Sequence, residues 1–137
     1  MFFTITSNPA DEDVGTIRSK LREFNQQAVQ CGPVESLAVF ARDDYKAAVG
    51  GLIGLTWGNW LQIQLLWVDE TLRGKGTGSE LLTRAETVAR TRGCLFSLVD
   101  TFSFQAIKFY QQRGYTIQLI LDNCPIDQKR YYLTRKL

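Results

Sequence analysis

The first stretch whose residue types could do chemistry is the glycine-rich run Arg73–Gly78, which lies between an expected strand and an expected helix. Its glycines allow the backbone to approach an anion closely, and the first turn of a helix presents unpaired N–H groups at the positive end of its dipole. Arg73 and Lys75 can add positive charge. The run therefore predicts a cradle for a pyrophosphate. The alternative is a glycine-rich turn that holds no ligand.

Two nucleotide-binding motifs do not fit this run. A P-loop requires a lysine followed by serine or threonine, whereas Lys75 is followed by Gly76. A dinucleotide-binding fingerprint requires Gly-x-Gly-x-x-Gly, and Ser79 replaces its third glycine. The pattern that fits is Arg-x-x-Gly-x-Gly, formed by Arg73, Gly76 and Gly78.

A second stretch, residues 103–115, places a tyrosine where it could act on a bound molecule. Ala106 and Tyr110 are four residues apart, so they share one face of an expected helix. The small alanine leaves space beside the phenol, whose ordinary pKa of about 10 makes it a proton donor at neutral pH. The alternative is that Tyr110 is a core aromatic residue beside Phe109.

Together the two stretches resemble the GNAT superfamily of N-acetyltransferases, in a compact bacterial branch. In that family the Arg-x-x-Gly-x-Gly turn binds the pyrophosphate of acetyl-CoA through backbone N–H groups. Ala106, Tyr110, Gly114 and Tyr115 match the second motif of the family, whereas Ser103 stands where the family carries asparagine. Serine can still donate one hydrogen bond, but it lacks the two-ended pairing of an amide.

The resemblance implies which residues hold acetyl-CoA as co-substrate, with no metal. The pantetheine arm would pair with the strand before the turn at Leu66 and Val68 and pass Ala106, and Tyr110 would protonate the departing thiolate as the catalytic residue. The implied acetyl-CoA-binding residues are Leu66, Val68, Arg73, Gly74, Lys75, Gly76, Thr77, Gly78, Ser79, Ser103, Ala106 and Tyr110.

The implied reaction is direct transfer of acetyl to a primary amine of a small molecule or a protein, with the tetrahedral charge met by a backbone N–H. Many members of the family carry a glutamate on the strand before the turn, where this chain has Gln62 and Gln64. Glutamine is not a base. Water would relay the proton to Asp100 or Glu70, or the amine would arrive neutral. The residues that could wall the acceptor site are Trp57, Trp60, Phe102 and Phe104.

A second class of function stays open: a protein that binds acyl-CoA without turning it over, as a sensor or regulatory subunit. The missing glutamate and the serine at Ser103 favour it, whereas the retained Tyr110 opposes it. A nucleic-acid-binding module is not favoured, because the formal charge is only +2 and basic residues are interspersed with acidic ones.

The elements that must position these residues alternate along the chain. Expected helices run from Asp11 to a stop near Cys31, from the glycine-rich turn to Gly93, and over residues 105–113. Expected strands cover residues 2–6, 35–42, 47–57, 60–68, 94–100, 116–121 and 130–136. The strand 60–68 alternates so that one face carries Leu61, Ile63, Leu65 and Trp67. The helix after the turn has Glu86 paired with Arg90 on its exposed side and an apolar face of Leu81, Leu82, Ala85, Val88 and Ala89.

This order predicts one α/β domain over residues 1–137: a GNAT-like mixed central sheet of about seven strands flanked by about three helices. The resemblance adds a splay between the fourth and fifth strands, in which the pantetheine would lie. Exposed strand edges near the end of the chain and the habit of the family suggest a homodimer.

The amino-acid composition excludes several kinds of catalytic and metal site. Histidine is absent, which excludes Ser–His and Cys–His catalysis and the commonest metal ligand. Cys31, Cys94 and Cys124 are far apart, which argues against a disulfide framework and a zinc site. No apolar run approaches the about 20 residues of a membrane span, and the start lacks the features of a signal peptide. We therefore expect a cytoplasmic protein.

Overall fold

Six strands form one mixed sheet in the computed structural model, which describes residues 1–137. In chain order the strands are β1 (Glu35–Arg42), β2 (Ala48–Trp57), β3 (Trp60–Val68), β4 (Phe96–Phe102), β5 (Thr116–Asp122) and β6 (Lys129–Lys136). Across the sheet they lie in the order β1-β2-β3-β4-β6-β5. Every neighbouring pair is antiparallel except β3 and β4, which are parallel.

Three helices accompany the strands: α1 (Asp11–Ala28), α2 (Thr77–Thr91) and α3 (Ile107–Gln111), with a 3-10 turn at Glu70–Leu72. The predicted α/β class with three helices is confirmed. Helix α2 is the crossover that parallel β3 and β4 require. None of the helices combines the length and the apolar character needed to cross a membrane.

The chain divides into two compact units, Met1–Pro33 and Val34–Leu137. In the first unit the predicted strand over residues 2–6 is wrong, so the sheet has six strands and not about seven. Phe2, Phe3 and Ile5 favour a strand by propensity, but a strand forms only where its backbone pairs with another, and these residues are exposed and unpaired. Helix α1 has no buried residue. The single domain over residues 1–137 stays a prediction.

The core of the second unit forms where α2 packs on β1, β2 and β3. Leu82 and Ala85 of α2 are buried in the same cluster as Leu52 of β2 and Leu61 of β3. Val88, predicted on the same face of α2, is instead 39% exposed. The packing of α2 against β3 holds the glycine-rich turn between them in place.

Within β3 the alternation of side chains changes phase at Gln64. Gly54 of β2 pairs with Ile63, whereas the preceding Ile53 pairs with Leu65, so Gln64 is an extra residue opposite β2. Such a β-bulge moves every later side chain of its strand to the opposite face.

The burial of β3 follows this change of phase. Leu61 and Ile63 are buried before the bulge, but Leu65 and Trp67 are 64% and 52% exposed after it. Their place against the core is taken by the partly buried residues Leu66 and Val68. The prediction of one continuous face is therefore wrong from Leu65 onward, because the extra residue breaks the period of two.

The ladder between β3 and β4 ends at the same point. Trp60–Ile63 pair with Phe96–Val99, and no pair follows. Strand β3 continues to Val68, and β4 continues to Phe102 while paired with β6. The two strands therefore have an unpaired opening between them, which lies where the sequence predicts the splay.

We expect Gly54→Ala to destabilise the second unit. A Cβ at position 54 would clash with the backbone carbonyl oxygen of Gln62, which belongs to the strand backbone beside the bulge. The free energy of unfolding should fall by about 2 kcal/mol, as in other overpacked sites, and urea unfolding monitored by tryptophan fluorescence measures it.

Gly51→Ala in the same strand is the matched control. Its Cβ would meet the ring of Phe40 at 3.1 Å, and this half-exposed side chain can rotate away. It would also meet the backbone oxygen of Val39 at 3.3 Å, which needs a shift of only a few tenths of an ångström. We expect a loss below about 1 kcal/mol. Equal losses in the two variants would show that the close approach at Gly54 is not required.

Candidate active site

Two cavities meet at the opening between β3 and β4. One, of about 470 Å³, is lined by the glycine-rich turn and α3, and we call it the turn cavity. The other, of about 620 Å³, is lined by the separated ends of β3 and β4, and we call it the splay cavity. Both volumes lie in the range of small-molecule sites. The residues that line both cavities are Leu66, Val68, Arg73, Ala106 and Tyr110.

The glycine-rich turn presents backbone donors. Gly74 and Gly76 have φ values of 73° and 87°, in the left-handed region that glycine adopts without strain. Gly76 caps the N-terminus of α2, and the first helical bond runs from the N–H of Glu80 to its carbonyl oxygen, at 3.0 Å. The N–H groups of the three residues between them therefore have no carbonyl partner within the helix, and they can bind an anion.

One contact fixes the start of this turn, and a second orders the segment before it. The Nε of Arg73 donates to the carbonyl oxygen of Val68 at 3.1 Å, so Arg73 is tied to the end of β3. Asp69 accepts from the backbone N–H and the hydroxyl of Thr71, at 2.9 and 2.6 Å, and these bonds lower the pKa of its carboxyl. Neither Asp69 nor Glu70 lines either cavity.

Arg113 is a residue of the turn cavity that the sequence analysis missed. Its guanidinium lies 3.9 Å from the centre of the Phe109 ring, and it donates to the hydroxyl of Ser79 and, at 3.0 Å, to the carbonyl oxygen of Phe109. It therefore places a positive charge beside the first turn of α2. Arg113 lies in the turn that follows α3, where its backbone N–H donates to the carbonyl oxygen of Tyr110 at 3.0 Å. The predicted helix over residues 105–113 contained this residue, and its three-residue spacing from Tyr110 was the signal in the sequence.

Tyr110 is 4% exposed, yet it lines both cavities. Its ring packs edge-on against Phe109 and Tyr115, with centroid distances of 5.1 and 5.6 Å. Its hydroxyl makes no hydrogen bond to the protein, and no fully buried polar side-chain atom lacks a partner, so this hydroxyl opens onto a cavity. Burial, and then the negative charge of Asp100, raise the pKa of Tyr110 to about 12. At neutral pH it is a phenol that can donate a proton.

Tyr115, whose ring packs against that of Tyr110, belongs to a buried polar cluster. The hydroxyl of Tyr115 lies 3.1 Å from the Oε2 of Glu86, to which it donates, and 2.7 Å from the Oγ of Ser97, from which it accepts. The guanidinium of Arg135 donates to both oxygens of Glu86, at 2.9 and 2.8 Å. Glu86 is 3% exposed, so its predicted exposed pair with Arg90 is wrong.

Most of the residues predicted to hold acetyl-CoA line the turn cavity. They are Leu66, Val68, Arg73, Gly74, Gly76, Gly78, Ser79, Ala106 and Tyr110. Lys75 and Thr77 instead line a neighbouring groove with Glu80 and Arg84, because the side chains of successive turn residues point in different directions.

Ser103 lines neither cavity. Its hydroxyl donates to Gln128 at 2.6 Å and accepts from the backbone N–H of Lys129 at 3.0 Å. These bonds tie the end of β4 to the start of β6, so the structure does not bring Ser103 to the position predicted for it.

Of the residues predicted for the acceptor site, some line the splay cavity and others line neither cavity. Phe104, Gln64 and Asp100 line the splay cavity, together with Trp67, which the sequence analysis did not place there. The residues predicted for the acceptor side that line neither cavity are Gln62, Trp57, Trp60, Phe102 and Glu70. Trp60 stacks on Phe96 at 5.0 Å. No group of three or more histidine, cysteine, aspartate or glutamate side chains is placed to hold a metal ion.

Known proteins resemble the chain in sequence and in fold. The sequence pattern of the acetyltransferase (GNAT) family matches residues 6–115. The blasticidin-S acetyltransferase of Streptomyces morookaense is 38% identical over 110 residues, which are 80% of this chain and 81% of that protein. An acetyltransferase of Agrobacterium fabrum is 35% identical over 113 residues, 82% of each chain. The crystal structure of an acetyltransferase from Agrobacterium tumefaciens superposes with a TM-score of 0.93, at 31% identity, over 100% of both chains.

We expect Arg135→Met to destabilise the protein strongly, because it leaves the buried carboxylate of Glu86 without its charge partner. The expected loss in the free energy of unfolding is about 3 kcal/mol. Arg84→Met is the matched control, since Arg84 pairs with Glu80 four residues away and both side chains are at least 60% exposed. The control should cost less than about 0.5 kcal/mol. Chemical denaturation compares the two, and similar losses would contradict a structural role for the buried pair.

Proposed function

The chain belongs to the acetyltransferase (GNAT) family and is an acyltransferase, and from this premise we propose that it moves an acetyl group from acetyl-CoA directly to a primary amine. The observation that carries the proposal is that Tyr110 lines two cavities that share one wall. A transfer between two bound molecules needs this arrangement, because the reacting atoms must meet beside the group that assists them.

The turn cavity suits acetyl-CoA. Its pyrophosphate is an anion, and the first turn of α2 offers backbone N–H groups with Arg113 beside them. The unpaired edge of β3 offers further backbone groups to the amides of the pantetheine, at Leu66 and Val68. Thr77 still contributes its N–H to the turn although its side chain points away from the cavity.

Tyr110 is the residue that assists the reaction. The amine nitrogen attacks the thioester carbonyl, the carbon–nitrogen bond forms, and the carbon–sulfur bond breaks. The leaving thiolate takes the phenolic proton of Tyr110, and the amine gives one proton to solvent, from which Tyr110 is reprotonated. The raised pKa of Tyr110 keeps this proton in place at neutral pH.

We propose a small molecule as the acceptor. The splay cavity, of about 620 Å³, has the size of a small-ligand site and walls drawn from β3, β4 and the segment before α3. The relative from Streptomyces morookaense is named for blasticidin-S, which supports the same choice.

A protein that binds acyl-CoA without turnover is the second candidate. The observation in its favour is that Gln64, and no glutamate of β3, faces the splay cavity.

The predicted homodimer and cytoplasmic location stay predictions. The outermost strand β5 carries the half-exposed residues Leu119 and Ile120, to which a second copy could pack.

We expect Gly76→Trp to weaken acetyl-CoA binding at least about tenfold, or about 1.4 kcal/mol, because the indole would occupy the turn cavity. Isothermal titration calorimetry measures this. Gly93→Trp is the matched control: its φ of 89° is close to the 87° of Gly76, both positions have open space at the Cβ, and Gly93 lines neither cavity. The control should bind as the wild type does. A wild-type protein that does not bind acetyl-CoA would refute the proposal.

We expect Tyr110→Phe to lower amine-dependent thiol release by about a hundredfold, within the usual range for loss of a general acid. Acetyl-CoA binding should change little, because the ring is retained. Tyr45→Phe is the control, since Tyr45 is 92% exposed and lies outside both cavities. Thiol release is followed with a chromogenic disulfide across a panel of small amines that includes blasticidin-S. Tight acetyl-CoA binding with no amine-dependent release would favour the sensor instead.

A further inference from the structure

Asp100 occupies the point at which β3 and β4 separate. It follows directly on Val99, the last residue of β4 that pairs with β3, and it is itself paired only with Tyr132 of β6. Its side chain is 27% exposed and lines the splay cavity but not the turn cavity. The charge of this carboxylate acts on Tyr110, which lines the same cavity.

The two oxygens of this carboxylate differ. Oδ2 accepts a hydrogen bond from Nε of Arg130 at 2.9 Å and lies 2.8 Å from Nη2 of the same guanidinium as an ion-pair contact. Oδ1 accepts no hydrogen bond from the protein, and since no fully buried polar side-chain atom lacks a partner, Oδ1 is accessible. Each oxygen of an ionised carboxylate can accept more than one hydrogen bond, and a charge-assisted hydrogen bond from a ligand N–H is among the strongest it can accept.

Arg130 holds the carboxylate in this orientation. Its guanidinium stacks on the rings of Phe102 and Tyr132, at 5.3 and 5.1 Å from their centres. A guanidinium held by two aromatic rings, one hydrogen bond and one ion-pair contact has little freedom to swing over Oδ1. The free oxygen is therefore kept free by the structure around it.

Aromatic side chains lie on the same cavity. Trp67 and Phe104 are 52% and 60% exposed and line the splay cavity. Phe104 stacks on Phe102 at 5.3 Å, with an angle of 12° between the rings. Exposed rings that line the same cavity as a carboxylate suit an organic cation whose body is planar or apolar.

We propose that Oδ1 of Asp100 binds the amine of the acceptor, and that the acceptor is a small primary ammonium compound with a planar or apolar body. This inference rests on the proposed function. A primary ammonium has three N–H groups, so one can stay on Oδ1 after another has lost its proton to solvent. Asp100 thus selects and orients the amine beside Tyr110, and no proton has to pass to Asp100.

The test is a charge-matched binding series that needs no knowledge of the natural acceptor. Phenethylammonium, 2-phenylethanol and 3-phenylpropionate share one apolar body and carry positive, zero and negative charge. Their binding to the protein saturated with CoA is followed by quenching of Trp67, the tryptophan that lines the splay cavity. Phenethylammonium should bind at least about tenfold more tightly than 2-phenylethanol, because a hydrogen bond to a charged group is worth that much.

Asp100→Asn should abolish this preference and leave the affinity for 2-phenylethanol unchanged. Asp44→Asn, at an exposed position outside both cavities, is the matched control and should keep the preference. If Asp100→Asn does not fold, the double variant Asp100→Leu/Arg130→Met replaces both partners by apolar side chains, which leaves no charge unpaired. It too should lose the preference.

Three outcomes overturn the inference: equal binding of phenethylammonium and 2-phenylethanol to the wild type, no binding of either, or a preference that survives in both variants at Asp100. The calorimetric titration with acetyl-CoA separates this failure from failure of the proposed function. If acetyl-CoA binds and turnover depends on Tyr110 but no charge preference exists, only the role of Asp100 is refuted.

Discussion

The arrangement of the site depends on one extra residue in β3. Gln64 has no partner opposite it in β2, and this is tolerated because Gly54 lets the backbone of β2 approach the carbonyl of Gln62 without a Cβ between them. The bulge bends the strand and ends its pairing with β4 after Ile63. The unpaired edge, the space between the strands and the exposure of Trp67 all follow from that interruption. A regular ladder through Val68 would close the opening in which both cavities meet.

The order of the elements and the outline of the site could be predicted from the sequence because their signals are local. The glycine-rich turn, the four-residue spacing of Ala106 and Tyr110, and the period of two in most strands each depend on a few neighbouring residues. The prediction of a strand over residues 2–6 is wrong because strand pairing depends on two segments, whereas the strand propensity of a segment describes that segment alone. The predicted faces of β3 are wrong after the bulge because a single extra residue changes neither the composition nor the hydrophobicity of the segment, and so leaves no local signal.

Side-chain roles were harder to predict wherever a partner lies far along the chain. Ser103 bonds to Gln128, and Glu86 pairs with Arg135. Neither partner is visible from local spacing. The burial of Glu86 did have a local signal, since it stands four residues after Leu82 and three before Ala89, on the apolar face of α2. A charged residue on such a face is buried only when it is paired, so the position implied a partner for Glu86 without identifying it.

The two buried or half-buried ion pairs show how the same chemistry can serve structure or binding. In the pair of Glu86 and Arg135 both carboxylate oxygens are bonded, and the hydroxyl of Tyr115 adds a further donor. Nothing remains for a ligand, so that pair can only hold α2 to the sheet. In the pair of Asp100 and Arg130 the hydrogen bond and the ion-pair contact both involve Oδ2, Oδ1 accepts no hydrogen bond from the protein, and the residue lines the splay cavity. Oδ1 of Asp100 is accessible, so water fills it in the free protein and, on our proposal, the ammonium group of the acceptor fills it in the complex. The pair of Glu86 and Arg135 has no such free oxygen.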